Sequence, residues 1–221
     1  MRMDAFIPPI PKFGVKGEQM NNWEFMTDKA AVVPFTPGTV VYRDGMLSTL
    51  YYKTKEAGLL EKVLCGDNPD HDHFIRMFDE SKKVLQILCE VENVGEKTEN
   101  VIPVGYAWVE AAKGIDGARA AMCGFCFFRH TRYLRDLGML GLYYWMKGLK
   151  ITVLHGVMIE SNQAAIRYAL KLGFQTTATV PNFHFYQGKL VPARAVMIEA
   201  KDFLPQFSKW LESKKCVAEP V

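Results

Sequence analysis

Hydrophobic and polar positions alternate in blocks that switch between the period of a strand and the period of a helix. Residues 84–91 are apolar and β-branched and predict a strand, with residues 101–111 as its antiparallel neighbour across the polar, Gly95-containing stretch 93–100. A further strand is expected over 118–128, after the loop Lys113-Gly114-Ile115-Asp116-Gly117, and others over 151–159, 174–180 and 193–199. Helical spacing predicts helices over 46–64, 72–81, 138–149, 162–172 and 204–213. Gly173 stands just past the fourth of these, where a helix stops on a left-handed residue. A short strand over 39–42, closed by the turn Asp44-Gly45, completes the order βααβββαβαβ(β)α. The expected class is α/β (α+β), a mixed central sheet of about six to seven strands flanked by helices.

Proline placement suggests where this domain starts. Pro8, Pro9, Pro11, Pro34 and Pro37 crowd the first 37 residues, whereas none occurs between Val104 and Val180. Residues 1–38 therefore read as an extended arm, docked on a domain over 39–221 by Phe6, Phe13, Trp23, Phe25 and Phe35.

Composition narrows the class further. With 49% hydrophobic and 12% aromatic residues the 221-residue chain has enough apolar side chains for a core, which excludes global disorder. The formal charge of +3 is too small to indicate a nucleic-acid partner, so any basic site must be local. The apolar runs 120–128 and 137–146 fall short of the ~18 residues that cross a bilayer. No run of signal-peptide length opens the sequence, and a cytoplasmic location away from membranes is expected. Five cysteines do not form a secreted disulfide framework. Cys123-Gly124-Phe125-Cys126 lies inside a strand and reads as core, and Asp70-His71-Asp72-His73 reads as a polar loop and helix N-cap; no metal site is expected.

Two consecutive segments carry candidate chemistry. Residues 129–141, RHTRYLRDLGMLG, follow a strand and open a helix, whose first-turn amides and dipole favour an anion. Gly138 and Gly141 leave that backbone accessible, or else serve close packing. Arg129, Arg132 and Arg135 add phosphate partners at intervals of three. In the second segment Asn162, Ala165, Ala169 and Gly173 form one helical stripe of small residues, which admits a neighbouring backbone or a slender ligand.

Strand, Arg135-x-x-Gly138, helix, strand, then Asn162-x-x-Ala165 and Leu172-Gly173-Phe174, resembles the GNAT superfamily of acetyl-coenzyme A-dependent N-acyltransferases. The motif agreement is tight over 128–174, and the element order agrees over 39–199. The resemblance implies acetyl-coenzyme A as cofactor, with an amine as acceptor. It implies that the helix start from Arg135 through Asp136, Leu137, Gly138, Met139, Leu140 and Gly141 receives the pyrophosphate. Phe128 and His130 would offer groups to the pantetheine arm, and Asn162 with Ala165 would bind the coenzyme where two parallel strands part. A bulky residue at 138 should then weaken coenzyme binding and leave the fold intact. Leu140 departs from the small residue usual at its position, though Gly141 is adjacent.

A second departure bears on catalysis. Where the family often has a tyrosine acid for the departing thiolate, this chain has Ala169, and Tyr168 lies about 100° away round the helix. The alternatives are an N-acetyltransferase that manages without that acid and a non-catalytic acyl-coenzyme A-binding or assembly protein. For an active enzyme the candidate bases are Glu110, at a strand end, and His155, in mid-strand. Glu160 is expected to cap the helix that follows it. The acceptor should be chosen by residues 46–81 and by the hairpin 181–192, whose Phe183, His184, Phe185 and Tyr186 line a pocket or fill core. A homodimer is compatible with this class, and nucleic acid ranks last among partners.

Overall fold

Alternating side chains of a strand leave on opposite faces, so the apolar pattern of the central strands demands cover on both sides. The computed structural model describes residues 27, 29–35, 40–63, 69–79, 83–93, 99–111 and 119–215. Phe6, Phe13, Trp23 and Phe25 of the expected arm, and the loop 113–117, lie outside the described residues.

The elements are β1 (Ala30–Phe35), α1 (Val40–Glu56), α2 (Leu60–Val63), α3 (His71–Asp79), β2 (Lys83–Asn93), β3 (Glu99–Ala111) and β4 (Ala120–Phe127). They continue with α4 (Leu134–Tyr143), extended by a π-helical turn over Tyr144–Gly148, then β5 (Val153–Ile159) and α5 (Gln163–Lys171). β6 (Gln175–Tyr186), β7 (Lys189–Glu199) and α6 (Ala200–Lys215) complete the described elements. Among the described residues one seven-stranded sheet forms, in the order β1-β2-β3-β4-β5-β7-β6, and only β4 and β5 pair in parallel. The mixed sheet flanked by helices is the class expected.

Each face has its own core. Leu88, Val104 and Leu154 pack with Leu137, Leu140 and Trp145 of the α4 segment and with Phe203, Phe207 and Trp210 of α6. On the opposite face Leu85, Ile87, Tyr106 and Cys126 pack with Leu47 and Leu50 of α1 and Phe74 and Phe78 of α3. The alternation within β2, where Leu85, Ile87 and Cys89 face one layer and Leu88 the other, is the sequence pattern made physical.

The structure corrects several element assignments. Of the strand expected over 39–42, the described residues 40–42 are helical: α1 begins at Val40, because the β preference of a few residues is a weak bias that tertiary context overrides. The first strand is instead Ala30–Phe35, inside the stretch read as an arm, and it pairs antiparallel with β2 from Ala30↔Glu90 to Phe35↔Leu85. Pro34 is tolerated because β1 is an edge strand. The helix expected over 46–64 breaks where Gly58 takes a left-handed conformation with φ +65°. The helix expected from residue 138 starts at Leu134, and that shift of four residues bears on the site.

Cys123 and Cys126 do occupy the strand β4, three apart, so their side chains leave on opposite faces and join different cores. Burial pushes the thiols of Cys89, Cys123 and Cys126 up to about 12. Among the described residues no group of three His, Cys, Asp or Glu side chains gathers as metal ligands, and no helix is long and apolar enough to cross a membrane. Iodoacetamide at pH 8, followed by peptide mapping, should leave these three cysteines unmodified in the native protein and alkylate them in denaturant. A raised thiol pKa means that the folded state holds more protons than the unfolded one above pH 9, so stability should fall as pH rises beyond that point.

Candidate cofactor and acceptor site

The parallel pairing of β4 with β5 is brief. It comprises Ala120↔Val153, Ala121↔Leu154 and Met122↔His155 and then stops. Both strands run on, β4 bonded to β3 as far as Gly105↔Phe127 and β5 bonded to β7 as far as Ile159↔Ala193. Residues 123–127 and 156–159 therefore border a wedge in the middle of the sheet. The β4–β5 ladder does not continue along them, so a ligand seated there would lie between two strand edges.

The wedge opens toward the segment joining β4 to α4. The amides of Phe128 and Arg129 both donate to the Val104 carbonyl, at 3.1 and 3.2 Å. Tyr133 N–H donates to the buried Thr131 hydroxyl (3.1 Å), and the first helical bond runs from Leu137 N–H to the Tyr133 carbonyl (3.0 Å). Among the described residues no side chain caps the start of α4, whose first-turn amides are those of Leu134, Arg135 and Asp136. Arg129, His130, Arg132 and Arg135 are exposed around it. The Arg132 guanidinium lies over the Tyr133 ring at 5.0 Å and donates from Nε to its hydroxyl (2.8 Å). Asp136 is buried and accepts from Lys214 Nζ of α6 at 2.8 Å, so this carboxylate arrives with its own counter-charge.

Because α4 starts at Leu134, the amides of Gly138, Met139, Leu140 and Gly141 are spent on its own ladder. The side chains of Leu137, Met139 and Leu140 are core. Gly138 faces α5: a Cβ there would collide with the Tyr168 hydroxyl and lie 2.7 Å from both Leu172 methyls. Gly141 faces the sheet, where a Cβ would stand 3.1 Å from Gln86 Oε1. Both glycines thus stand at close packing contacts, Gly138 against the ends of the Tyr168 and Leu172 side chains and Gly141 against that of Gln86.

Asn162 is the N-cap of α5, its Oδ1 accepting from Ala165 N–H at 3.3 Å. Further along the small-residue stripe, Ala169 is buried in the core and Gly173 packs on Ile198 and Gln206. Tyr168 crosses to α4 and donates to the Leu134 carbonyl (2.9 Å), with its ring edge-on to Phe125 and Phe127. Burial raises its phenol well above 10, so it stays a neutral hydroxyl tying the two helices. Glu160 does not cap: its carboxylate pairs with Arg194 of β7 at 2.7 Å.

Glu110 and His155 lie in one row across the sheet, Lys83↔Glu110↔Met122↔His155↔Met197, on the α1–α3 side. Two strand spacings, about 10 Å, separate them. His155 is half-buried at the vertex of the wedge, whereas Glu110 is exposed and stands 3.8 Å from Lys83 Nζ. Of the hairpin aromatics, Phe183 and Phe185 are exposed and do not fill core. The hairpin tip reaches α2, where Gln187 N–H donates to Glu61 Oε1 at 2.7 Å.

Sequence reasoning missed a cavity of about 420 Å³ between α1 and the strand ends. Met46, Leu50, Ile102, Pro103 and Phe128 form much of its wall, and Lys53, Glu56 and Arg129 supply charge. Lys53 Nζ sits 5.7 Å from the centre of the Phe128 ring. No local pattern signals this cavity, since its walls come from three segments, residues 46–57, 102–103 and 128–129, that are distant along the chain.

No protein-family model matches the chain, and no curated protein sequence matches it. Solved structures do. A GNAT-family acetyltransferase from Bacillus anthracis covers 80% of this chain and 98% of its own length, at 13% identity and TM-score 0.57. Spermidine N-acetyltransferase from Vibrio cholerae, in complex with CoA and spermine, covers 80% and 99% at 11% identity and TM-score 0.58. The yncA protein of Salmonella typhimurium, solved with its cofactor acetyl-CoA, covers 76% and 93% at 15% identity and TM-score 0.53. The resemblance to GNAT acetyltransferases holds at the level of the fold.

The Gly138 contact can be measured. Gly138→Ala should destabilise the protein by about 1–3 kcal/mol in urea melts. Combined with Tyr168→Phe, which removes the colliding hydroxyl, it should cost less than the sum of the single changes.

Proposed function

We propose that the protein is an N-acetyltransferase that moves an acetyl group from acetyl-CoA to a primary amine by direct attack within a ternary complex. The observation that carries this reading is the wedge between β4 and β5, with an uncapped helix start and a cluster of arginines at its open end. That donor set fits a pyrophosphate: charge-assisted bonds come from Arg135 and its neighbours, and backbone bonds from the first turn of α4. In this reading the pyrophosphate donors are the amides of Leu134, Arg135 and Asp136. Gly138 through Gly141 act by packing and are not part of the donor set. Phe128, His130 and the strand edge before them would hold the pantetheine arm, and the Asn162–Ala165 turn would flank it.

Acetyl-CoA, when bound, supplies the thioester carbonyl and a thiolate leaving group. The chain's part is to hold the amine against that carbonyl, remove its extra proton and offer strand amides to the oxyanion. His155, at the vertex, is our choice of base: an imidazole nitrogen accepts the ammonium proton directly or through a water. Glu110, engaged with Lys83 one strand further off, is the weaker candidate. The solved spermidine N-acetyltransferase complex supports an amine as acceptor. Ala169 favours a second reading, coenzyme binding without turnover, because no tyrosine stands where the family's acid often does.

Calorimetry with acetyl-CoA and thiol-release assays over an amine panel separate the two. Arg135→Ala should weaken acetyl-CoA binding by about tenfold. His155→Gln should lower kcat about 100-fold with acetyl-CoA affinity unchanged. Full turnover by His155→Gln would remove the histidine from the chemistry, and no binding of acetyl-CoA would sink both readings.

A further inference from the structure

Away from the wedge, on the outer side of the α1–α3 layer, three side chains stand in the order of a hydrolytic triad. Ser48 Oγ of α1 lies 2.8 Å from His71 Nε2, and His71 Nδ1 lies 3.0 Å from Asp72 Oδ1. The direction of both bonds follows from what each group is able to do. An ionised carboxylate only accepts, so Nδ1 carries the ring proton. Nε2 of the neutral ring is then bare, and the Ser48 hydroxyl must donate to it. That polarity makes a serine nucleophilic, with a base at its hydroxyl and an anion orienting the base.

The surroundings hold this arrangement and leave it reachable. The His71 ring is stacked against Tyr52 (5.6 Å between centres, 25° between planes) and meets the edge of buried Tyr51 at 5.3 Å. Tyr52 is 59% exposed and offers an aromatic shelf beside the serine. Asp70 occupies the next two amides of α3, its carboxylate taking His73 N–H (2.8 Å) and its carbonyl Phe74 N–H (3.0 Å). The amides of His71 and Asp72 are the remaining first-turn donors, and the positive end of the α3 dipole favours an oxyanion there. The sequence drew notice to 70–73 only as a capping string. Ser48, 23 residues upstream, is what makes it more than a cap.

We propose that Ser48, His71 and Asp72 form a second catalytic site, one that hydrolyses small activated acyl esters through an acyl-serine. Ser48 Oγ bonds to the acyl carbon as its proton passes to His71 Nε2. The tetrahedral intermediate expels the alcohol oxygen, which leaves with that proton. Water then attacks the acyl-serine, gives a proton to Nε2, and the Ser48 oxygen recovers it as the carboxylic acid departs. No oxidant, metal or co-reactant other than water enters. Asp72 does not touch the substrate; it is a positioning residue.

The test uses the full chain and p-nitrophenyl acetate. A burst of p-nitrophenol with an acetyl adduct on the Ser48 peptide is expected. Ser48→Ala should lose the burst and the adduct, with turnover down about 100-fold or more, while its thermal melt stays unchanged. Asp72→Asn, at a side chain 81% exposed to solvent, should fold normally and slow the burst at least tenfold. No burst in the wild-type chain, an adduct only elsewhere, or wild-type rates in Ser48→Ala would each overturn the site. A normal burst in Asp72→Asn would overturn the triad.

Discussion

Three residue pairs between β4 and β5 set the terms for the rest of the molecule. Up to Met122 and His155 the two strands pair; beyond them β4 continues against β3 and β5 against β7. The parting opens a wedge in the interior of the sheet, between two strand edges. In the proposed reading a slender ligand would lie along those edges, with its charged end at the start of α4, the element that the β4 exit leads into. In this way one topological fact, a parallel pair among antiparallel ones, aligns the vertex histidine, the open strand edges and the arginine cluster.

The helices over the sheet are placed by a second constraint, the close approach of α4 to α5. Gly138 admits the Tyr168 hydroxyl, which reaches the Leu134 carbonyl at the first turn of α4. The same tyrosine lies edge-on to Phe125 and Phe127 of β4, so the mouth of the wedge, its floor and α5 are locked together. Tyr168 is thus the neighbour of Ala169 in sequence, and its hydroxyl is committed to holding the scaffold. The pair Asp136–Lys214 adds the C-terminal helix to that assembly.

Most of the sheet was legible because burial imposes a period of two on β2 to β5, and nothing local competes with it. The errors fell where local preference was weak or shared. Residues 40–42 are β-branched and aromatic, yet they open a helix, while Ala30–Phe35 was hidden by a proline that an edge strand accepts. Of the site, the Arg135–Gly138 and Asn162–Ala165 spacings were visible, but their meaning was divided. Asn162 is a cap, Gly138 is a packing contact, and the start of the helix lies a full turn upstream of the place inferred from the glycines.

The sequence by itself determined the order of elements after residue 83, the two-sided core, the fates of Cys123 and Cys126, and the resemblance to an acyltransferase fold. Those properties depend on spacing along one strand or helix, which the chain carries locally. Only the tertiary structure decided where β4 and β5 part, that His155 stands at their vertex, and that Ser48 meets His71. It also decided that a cavity forms between α1 and the strand ends. Each of these joins residues tens of positions apart, and their distance is set by how two layers pack on a sheet, not by any local pattern.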